Sequence, residues 1–369
     1  MLVGPFPPTK GGVTTFMLNL MASPLAAQFE FVPFTTSRPP KKNVVNNWGY
    51  RAVLRGGLRR IATGLLITIW HVLIFAPRLI AGAIPLVQIQ ASDYQVFWES
   101  VVYALIARGL GRRVLFRIGG AFDKFHGGAP PWERRLIARA LAIPHVVIAQ
   151  SGFARDYIRA AGRSGEIVVL PNWSRAENIR AEPAPPREIP TCLFIAGLEA
   201  QRKGIEEIID AATRLQAEGS PARFHLVALP DSLKGRVAGL GLANIVAMEG
   251  MASSAHVMEL MRSCDIFLLP SHGEGFPNSL IEAMGSGMAC IATPVGAVPE
   301  MLGGGEGLVV PVGDGKALAE AIDRFARDPG LRGNLAERAR QAVIGRYTAE
   351  AALPALADAY RRLLGEAGA

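Results

Sequence analysis

Glu274 and Glu282 stand eight residues apart in P-S-H-G-E-G-F-P-N-S-L-I-E-A-M-G-S-G-M-A-C-I-A-T-P-V-G-A-V-P-E, which runs from Pro270 to Glu300. The run before them, Cys264 to Pro270, is apolar and short enough for a buried strand, and Ser271 to Gly275 has the composition of a loop. Pro277 suits a first helical position, and Leu280, Ile281, Ala283 and Met284 then form a face to bury. The pattern is a strand, a loop at its carboxyl end, and a helix whose amino terminus opens into that loop. In an open α/β sheet, ligands sit beyond the carboxyl ends of the strands. Helix-start amides and the macrodipole favour an anion there, usually phosphate. A carboxylate on each side can then hold hydroxyls. These residue types at this spacing suit a phosphate-bearing sugar.

With its flanks, the stretch resembles the E-x7-E signature of retaining glycosyltransferases of the GT-B fold, in the large family 4 that uses nucleotide-sugar donors. A lone E-x7-E is common by chance, and an ordinary βα unit would account for the strand and helix. It does not account for two carboxylates at the binding end. The resemblance implies that Glu282 binds the ribose and Glu274 the donor sugar hydroxyls. It also makes Gly275, Phe276, Pro277, Asn278 and Ser279 a donor-binding turn. Upstream, G-L-E-A-Q-R-K-G is similar to the family's G-R-L-x-x-x-K-G, so Lys203 is expected on the diphosphate as a point charge. Leu198 fills the arginine position, and Arg202 is the candidate substitute. Gly11 and Gly12 match the glycine pair whose amides approach the donor phosphates. The resemblance also implies a first strand longer than Met1 to Val3, hence residues upstream.

Other family features are not matched. Ile118, next to Arg117, stands where a histidine often precedes the G-G pair, and Pro230-Asp231 replaces a glycine-rich turn. Asp93, Tyr94 and Asp123 are the polar candidates for acceptor binding. With no D-x-D, H-x-x-x-H or cysteine pair, no metal or other cofactor is expected; Lys203, Arg202 and the helix start would neutralise the leaving diphosphate.

What must position these residues is an α/β architecture of two doubly wound, Rossmann-like parallel-sheet domains facing across a cleft, with a terminal helix crossing back to the first. The expected divisions are 1–172, a Pro/Ala-rich linker at 173–190, a donor domain at 191–345 and the returning helix at 346–369. A chain of 369 residues, half hydrophobic and 19% charged, can bury two cores and is not disordered. Its charge is split: residues 1–172 carry 20 basic and 7 acidic side chains, and residues 173–369 carry 19 and 24. The basic half lacks aromatic-interleaved patches, so no nucleic-acid partner is expected. Cys192, Cys264 and Cys290 lie in apolar runs without paired spacing and read as buried thiols of a reducing compartment.

Arg51, Arg55, Arg59 and Arg60 lead into a run of seventeen residues without Lys, Arg, Asp or Glu, from Ile61 to Pro77. Three readings are open: a buried helix feeding the strand Leu86 to Ile89, a helix partly laid on a bilayer, or a membrane span, for which about 20 residues are usual. The first residues lack the basic start and apolar core of an export signal. The expected setting is cytoplasmic, with peripheral contact to anionic lipid at the inner membrane face. The function implied is transfer from a nucleoside-diphosphate sugar, UDP by default, to a glycan, lipid-linked or small-molecule acceptor in surface polysaccharide or glycolipid synthesis. A GT-B phosphorylase or epimerase would need a further cationic cluster that is not seen. The alternative of another class is a non-catalytic nucleotide-sugar scaffold or sensor.

Overall fold

The computed structural model describes residues 1–9, 11–37, 57–182, 185, 187–197 and 199–365, with side chains of 57–65 excepted. Leu198, Arg51 and Arg55 therefore lie outside the described residues, as do the side chains of Arg59 and Arg60.

The chain forms two compact units. The first comprises Met1–Asn172 with Ala349–Ala369, and the second Trp173–Thr348. Residues 173 to 182, read from their composition as the start of a linker, pack within the second unit; Arg180 N donates to the Gly285 carbonyl (2.8 Å). The chain returns to the first unit at Ala349 rather than 346. The helix Pro354–Leu364 contributes Tyr360, whose hydroxyl donates to Gln88 Oε1 (2.5 Å).

Each unit holds a six-stranded, all-parallel sheet. The first has β1 (Leu2–Gly4), β2 (Pro33–Thr35), β3 (Leu86–Ala91), β4 (Arg113–Ile118), β5 (Val146–Ala149) and β6 (Glu166–Val169), in the spatial order β2-β1-β3-β4-β5-β6. The second has β7 (Thr191–Ile195), β8 (Arg223–Val227), β9 (Val246–Met248), β10 (Ile266–Leu269), β11 (Ala289–Ala292) and β12 (Leu308–Val309), in the order β12-β11-β10-β7-β8-β9. Parallel strands need crossover helices, which cover both faces, so the strands are continuous apolar runs. Val146–Ala149, Ile266–Leu269 and Ala289–Ala292 are buried at every position. In each sheet the strand order reverses once, between β1 and β3 and between β7 and β10. Those reversals are the topological switch points, where such sheets open a crevice for ligands.

The helix Gly57–Ala81 answers the ambiguous apolar run. Phe75 and Leu79 are fully buried, but Leu66, Trp70 and Leu73 are about two-thirds exposed, so the helix buries one face only. Among the described residues, no helix is long and apolar enough to cross a membrane. All three cysteines are free and buried, and burial raises their thiol pKa values.

Candidate functional site

The switch point of the second sheet gathers Lys203, Arg202 and Glu274. Register pairs Ile266 with Cys192 and Leu268 with Phe194, so β7 and β10 end side by side. The loop after β7 turns back through Lys203 N to the Glu199 carbonyl (3.0 Å) and Gly204 N to the Gln201 carbonyl (3.2 Å). The loop after β10 is stitched to it: His272 N and Ser271 Oγ both donate to the Arg202 carbonyl, at 2.8 and 3.1 Å. Lys203 Nζ then reaches Glu274 Oε1 at 2.6 Å, with both side chains largely buried. Arg202 lies 3.4 Å from the same oxygen and is held by the Glu199 carboxylate, through Nε at 2.9 Å, and by the Gly273 carbonyl. Two cations thus converge on one carboxylate where a ligand would enter.

Two glycines that the sequence reading quoted without a role make this approach possible. Gly204 has φ of +89°, and a Cβ there would collide with the Pro270 carbonyl. Gly296 has φ of +55° in the loop after β11, and its Cβ would collide with the carbonyls of Glu274 and Gly275. Ala297 N meanwhile donates to Gly275 O at 2.9 Å. The glycine of P-V-G-A-V-P-E is a backstop for the Glu274 peptide. Only a residue without a side chain lets that backbone come so close.

Glu282 sits on the helix Asn278–Gly285, and burial pushes its carboxyl up to about 7. Pro277 is the residue preceding that helix, with ψ of 110°, and the helix begins at Asn278 rather than at the proline. Asn278, Ser279 and Gly275 are partly exposed. Phe276 is buried, its ring 5.6 Å edge-on to Tyr347, so its side chain fixes the turn and leaves only its amide for a ligand.

In the first unit, Gly11 has φ of +146° and precedes the exposed start of the helix Gly12–Met21. Asp93 and Tyr94 follow β3, and Asp123 opens the helix after β4. Asp93 is buried, accepts from Ser92 Oγ (3.0 Å) and lies beside Gly120, whose φ is +69°. Tyr94 is held at φ of +49°, its ring 5.1 Å from Phe125. The Asp123 carbonyl accepts from the Tyr157 hydroxyl (3.1 Å). All three stand at the carboxyl edge of the first sheet. Ile118, at the histidine position, is buried in the core.

Arg117, mentioned in the sequence only as a neighbour of Ile118, is 1% exposed. Its guanidinium lies 3.6 Å from the Phe16 ring centroid, and Nη2 donates to Asn172 Oδ1 at 2.6 Å. Burial lowers its pKa to about 9. Among the described residues no carboxylate pairs with it. In the sequence Arg117 stands between Phe116 and Ile118, and its type alone does not show whether it turns to solvent or to the core.

With this geometry, residues 189–328 match the family described as Glycosyl transferases group 1. Over its full length the chain superposes on sucrose-phosphate synthase from Thermosynechococcus elongatus, with a TM-score of 0.75 and 19% identity, each chain covered 100%. The fold is GT-B. Anabaena HepE in complex with UDP has the same fold, at a TM-score of 0.69 and 18% identity over 98% of this chain and 99% of that one. In sequence, the phosphatidyl-myo-inositol mannosyltransferase of Mycobacterium leprae (strain TN) is 30% identical over 213 residues, 56% of this chain. The matched region spans 54% of that relative's length.

Proposed function

We propose that this GT-B protein is a retaining glycosyltransferase, moving a sugar from a nucleoside diphosphate to a glycan or lipid-linked acceptor in polysaccharide or glycolipid synthesis. The observation that carries the reading is the Lys203–Glu274 pair, 2.6 Å apart at the switch point of the second sheet. In this role Lys203 turns from Glu274 to the donor diphosphate. It stabilises the charge that develops as the sugar leaves, usually the largest contribution to such catalysis. The freed Glu274 carboxylate accepts hydrogen bonds from the sugar hydroxyls. Arg202, tied to Glu199, holds Glu274 in place and adds positive charge beside the leaving group. Glu282, charged above about pH 7, accepts from the ribose hydroxyls. Gly275, Asn278 and Ser279 approach the donor through the backbone around the helix start, and the Gly11 and Gly12 amides are further proposed phosphate contacts. These roles need no metal ion.

UDP is the proposed nucleotide, a choice supported by its presence in the HepE structure. A lipid-linked acceptor is supported by the mannosyltransferase relative, whose name carries a phosphatidylinositol. Asp93, Tyr94 and Asp123 are the proposed acceptor contacts. The relative's name as a transferase favours catalysis over a sensor or scaffold.

The test is nucleotide release from a panel of nucleotide sugars, with lipid and glycan extracts as acceptors. Wild type is expected to turn over one donor, and Lys203→Ala and Glu274→Ala to lose it. Rates of either variant within about threefold of wild type, under about 1 kcal/mol of barrier, would overturn the assignment.

A further inference from the structure

We propose that the outer face of the helix Gly57–Ala81 is a membrane-docking surface that inserts apolar side chains between anionic lipid headgroups. This goes beyond the transfer reading and does not depend on it. The sequence placed the membrane contact on Arg55, Arg59 and Arg60; the described structure supplies other residues. Leu66, Ile69, Trp70, Leu73 and Ile80 are exposed, and the first four fall at helical spacing along one stripe. The opposite face is spent on the core, where Phe75 meets Phe34 and Tyr103 edge-on at 5.1 and 5.0 Å. The neighbouring helix Tyr94–Gly109 lies alongside, joined by Thr68 Oγ1 to Glu99 Oε1 at 3.1 Å, and adds the exposed Leu105. Isolated exposed apolar residues are ordinary, but a stripe of large ones with a tryptophan marks an interaction site.

Charge selects the occupant. Residues 66–113 contain four arginines, Arg78, Arg108, Arg112 and Arg113, and two acids. Asp93 is buried, and Glu99 is taken up by Thr68 and Gln95. Among the described residues, none of the four arginines pairs with a carboxylate. Arg108 and Arg113 instead crowd together on His145, with contacts of 3.2 Å each. An exposed apolar stripe on a helix that carries Arg78 and no acid, beside a helix with exposed Leu105 and Arg108 one turn apart, matches the boundary between acyl chains and anionic headgroups. The helix itself has no acidic residue to oppose it.

The experiment is flotation of the full chain with phosphatidylcholine vesicles, with and without phosphatidylglycerol, at low and moderate salt. Binding is expected on the anionic vesicles, with a blue shift of the emission that Trp70→Phe removes. The double variant Leu66→Gln/Leu73→Gln alters exposed positions only. It is expected to keep wild-type thermal unfolding and nucleotide release from a soluble donor, while losing roughly tenfold or more in vesicle binding. Arg108→Gln/Arg113→Gln is expected to remove the preference for anionic over zwitterionic lipid. The proposal is overturned if wild type stays in the soluble fraction at low salt, or if the Leu66→Gln/Leu73→Gln protein floats as wild type does. It is equally overturned if sedimentation shows wild-type self-association that this variant abolishes, because a second copy would then cover the face.

Discussion

The two switch points hold their charge in opposite ways. In the second unit, Lys203 and Arg202 converge on Glu274, so each charge is compensated and still partly accessible. In the first, Arg117 is buried against an aromatic ring and one amide oxygen, with no described carboxylate nearby. A compensated pair at a loop can exchange partners when a ligand arrives, because Lys203 gives up one anion for another. A buried lone cation has no such exchange available and bears an uncompensated desolvation cost. The second unit therefore holds cations that can pass from a protein carboxylate to an anionic ligand. In the first, the arginine is embedded in the framework, and Tyr94, Asp123 and the Gly11 loop supply the groups left accessible.

Breaking the compensated side gives the largest effect. Lys203→Ala is expected to reduce nucleotide release by about 10²–10³-fold, as losing one preorganised charge-stabilising donor does elsewhere. Lys203→Arg should recover only part, because the planar fork does not occupy the position of a point charge. If both variants retained wild-type rates, the pair would be a structural ion pair and the contrast between the units would fail. Next in size is Gly296→Ala. Its φ of +55° and the collision with the Glu274 carbonyl predict a destabilisation of about 2–4 kcal/mol, read by denaturant unfolding, with loss of donor binding in the protein that still folds. Wild-type stability in this variant would remove the glycine from the site's construction.

These contrasts explain what the sequence could and could not show. Glu274 and Glu282 stood out as candidates because two carboxylates eight residues apart bracket a loop and a helix start, and Lys203 because its stretch resembles a family motif; local chain geometry then fixes the loop or helix on which each stands. The parallel α/β architecture was legible because parallel strands advertise themselves as apolar runs between helical patterns, and the GT-B arrangement followed from the resemblance carried by the Glu274–Glu282 stretch. The Lys203–Glu274 contact joins residues 71 apart and was not legible, because it depends on the order of β7 and β10 in the sheet. Gly296 read as one more loop glycine, its purpose visible only once the Glu274 carbonyl lies against it. Arg117 was passed over because nothing local distinguishes a strand arginine that points to solvent from one folded over Phe16. The division of Gly57–Ala81 into a core face and an outer face likewise needed Phe34 and Tyr103, which lie far away in sequence.

Glu282 sharpens the comparison by titration. Its carboxyl is raised to about 7 by burial, against an ordinary value of 4.5. The folded protein therefore holds a proton that the unfolded chain has released, so this residue's contribution to stability falls as pH rises from about 4.5 to 7 and then levels off. Glu282→Gln removes that dependence. At pH 8 the variant should be more stable by up to about 3 kcal/mol in urea, and the difference should vanish towards pH 4.5. Donor binding should move the other way: wild type should bind more weakly as pH falls through about 7, whereas the variant should bind weakly throughout. A gain in stability without loss of donor affinity would release Glu282 from the ribose and leave it a buried acid of the helix.

The smallest effect is expected at Arg117, and it asks whether this buried cation serves the fold alone. Replacing an uncompensated buried charge by an apolar side chain of similar length is often neutral or stabilising. Arg117→Met should therefore change unfolding free energy by no more than about 1 kcal/mol, with the stacking on Phe16 lost and the desolvation cost relieved. Two assays divide the outcomes. Unchanged stability with unchanged nucleotide release makes Arg117 a dispensable filler of the sheet face. Unchanged stability with a raised donor KM means that the guanidinium, through Phe16 on the helix Gly12–Met21, sets the position of the Gly11–Gly12 amides. A loss of several kcal/mol would contradict the contrast drawn between the two switch points, because it would require an anionic partner that compensates the charge in the folded state.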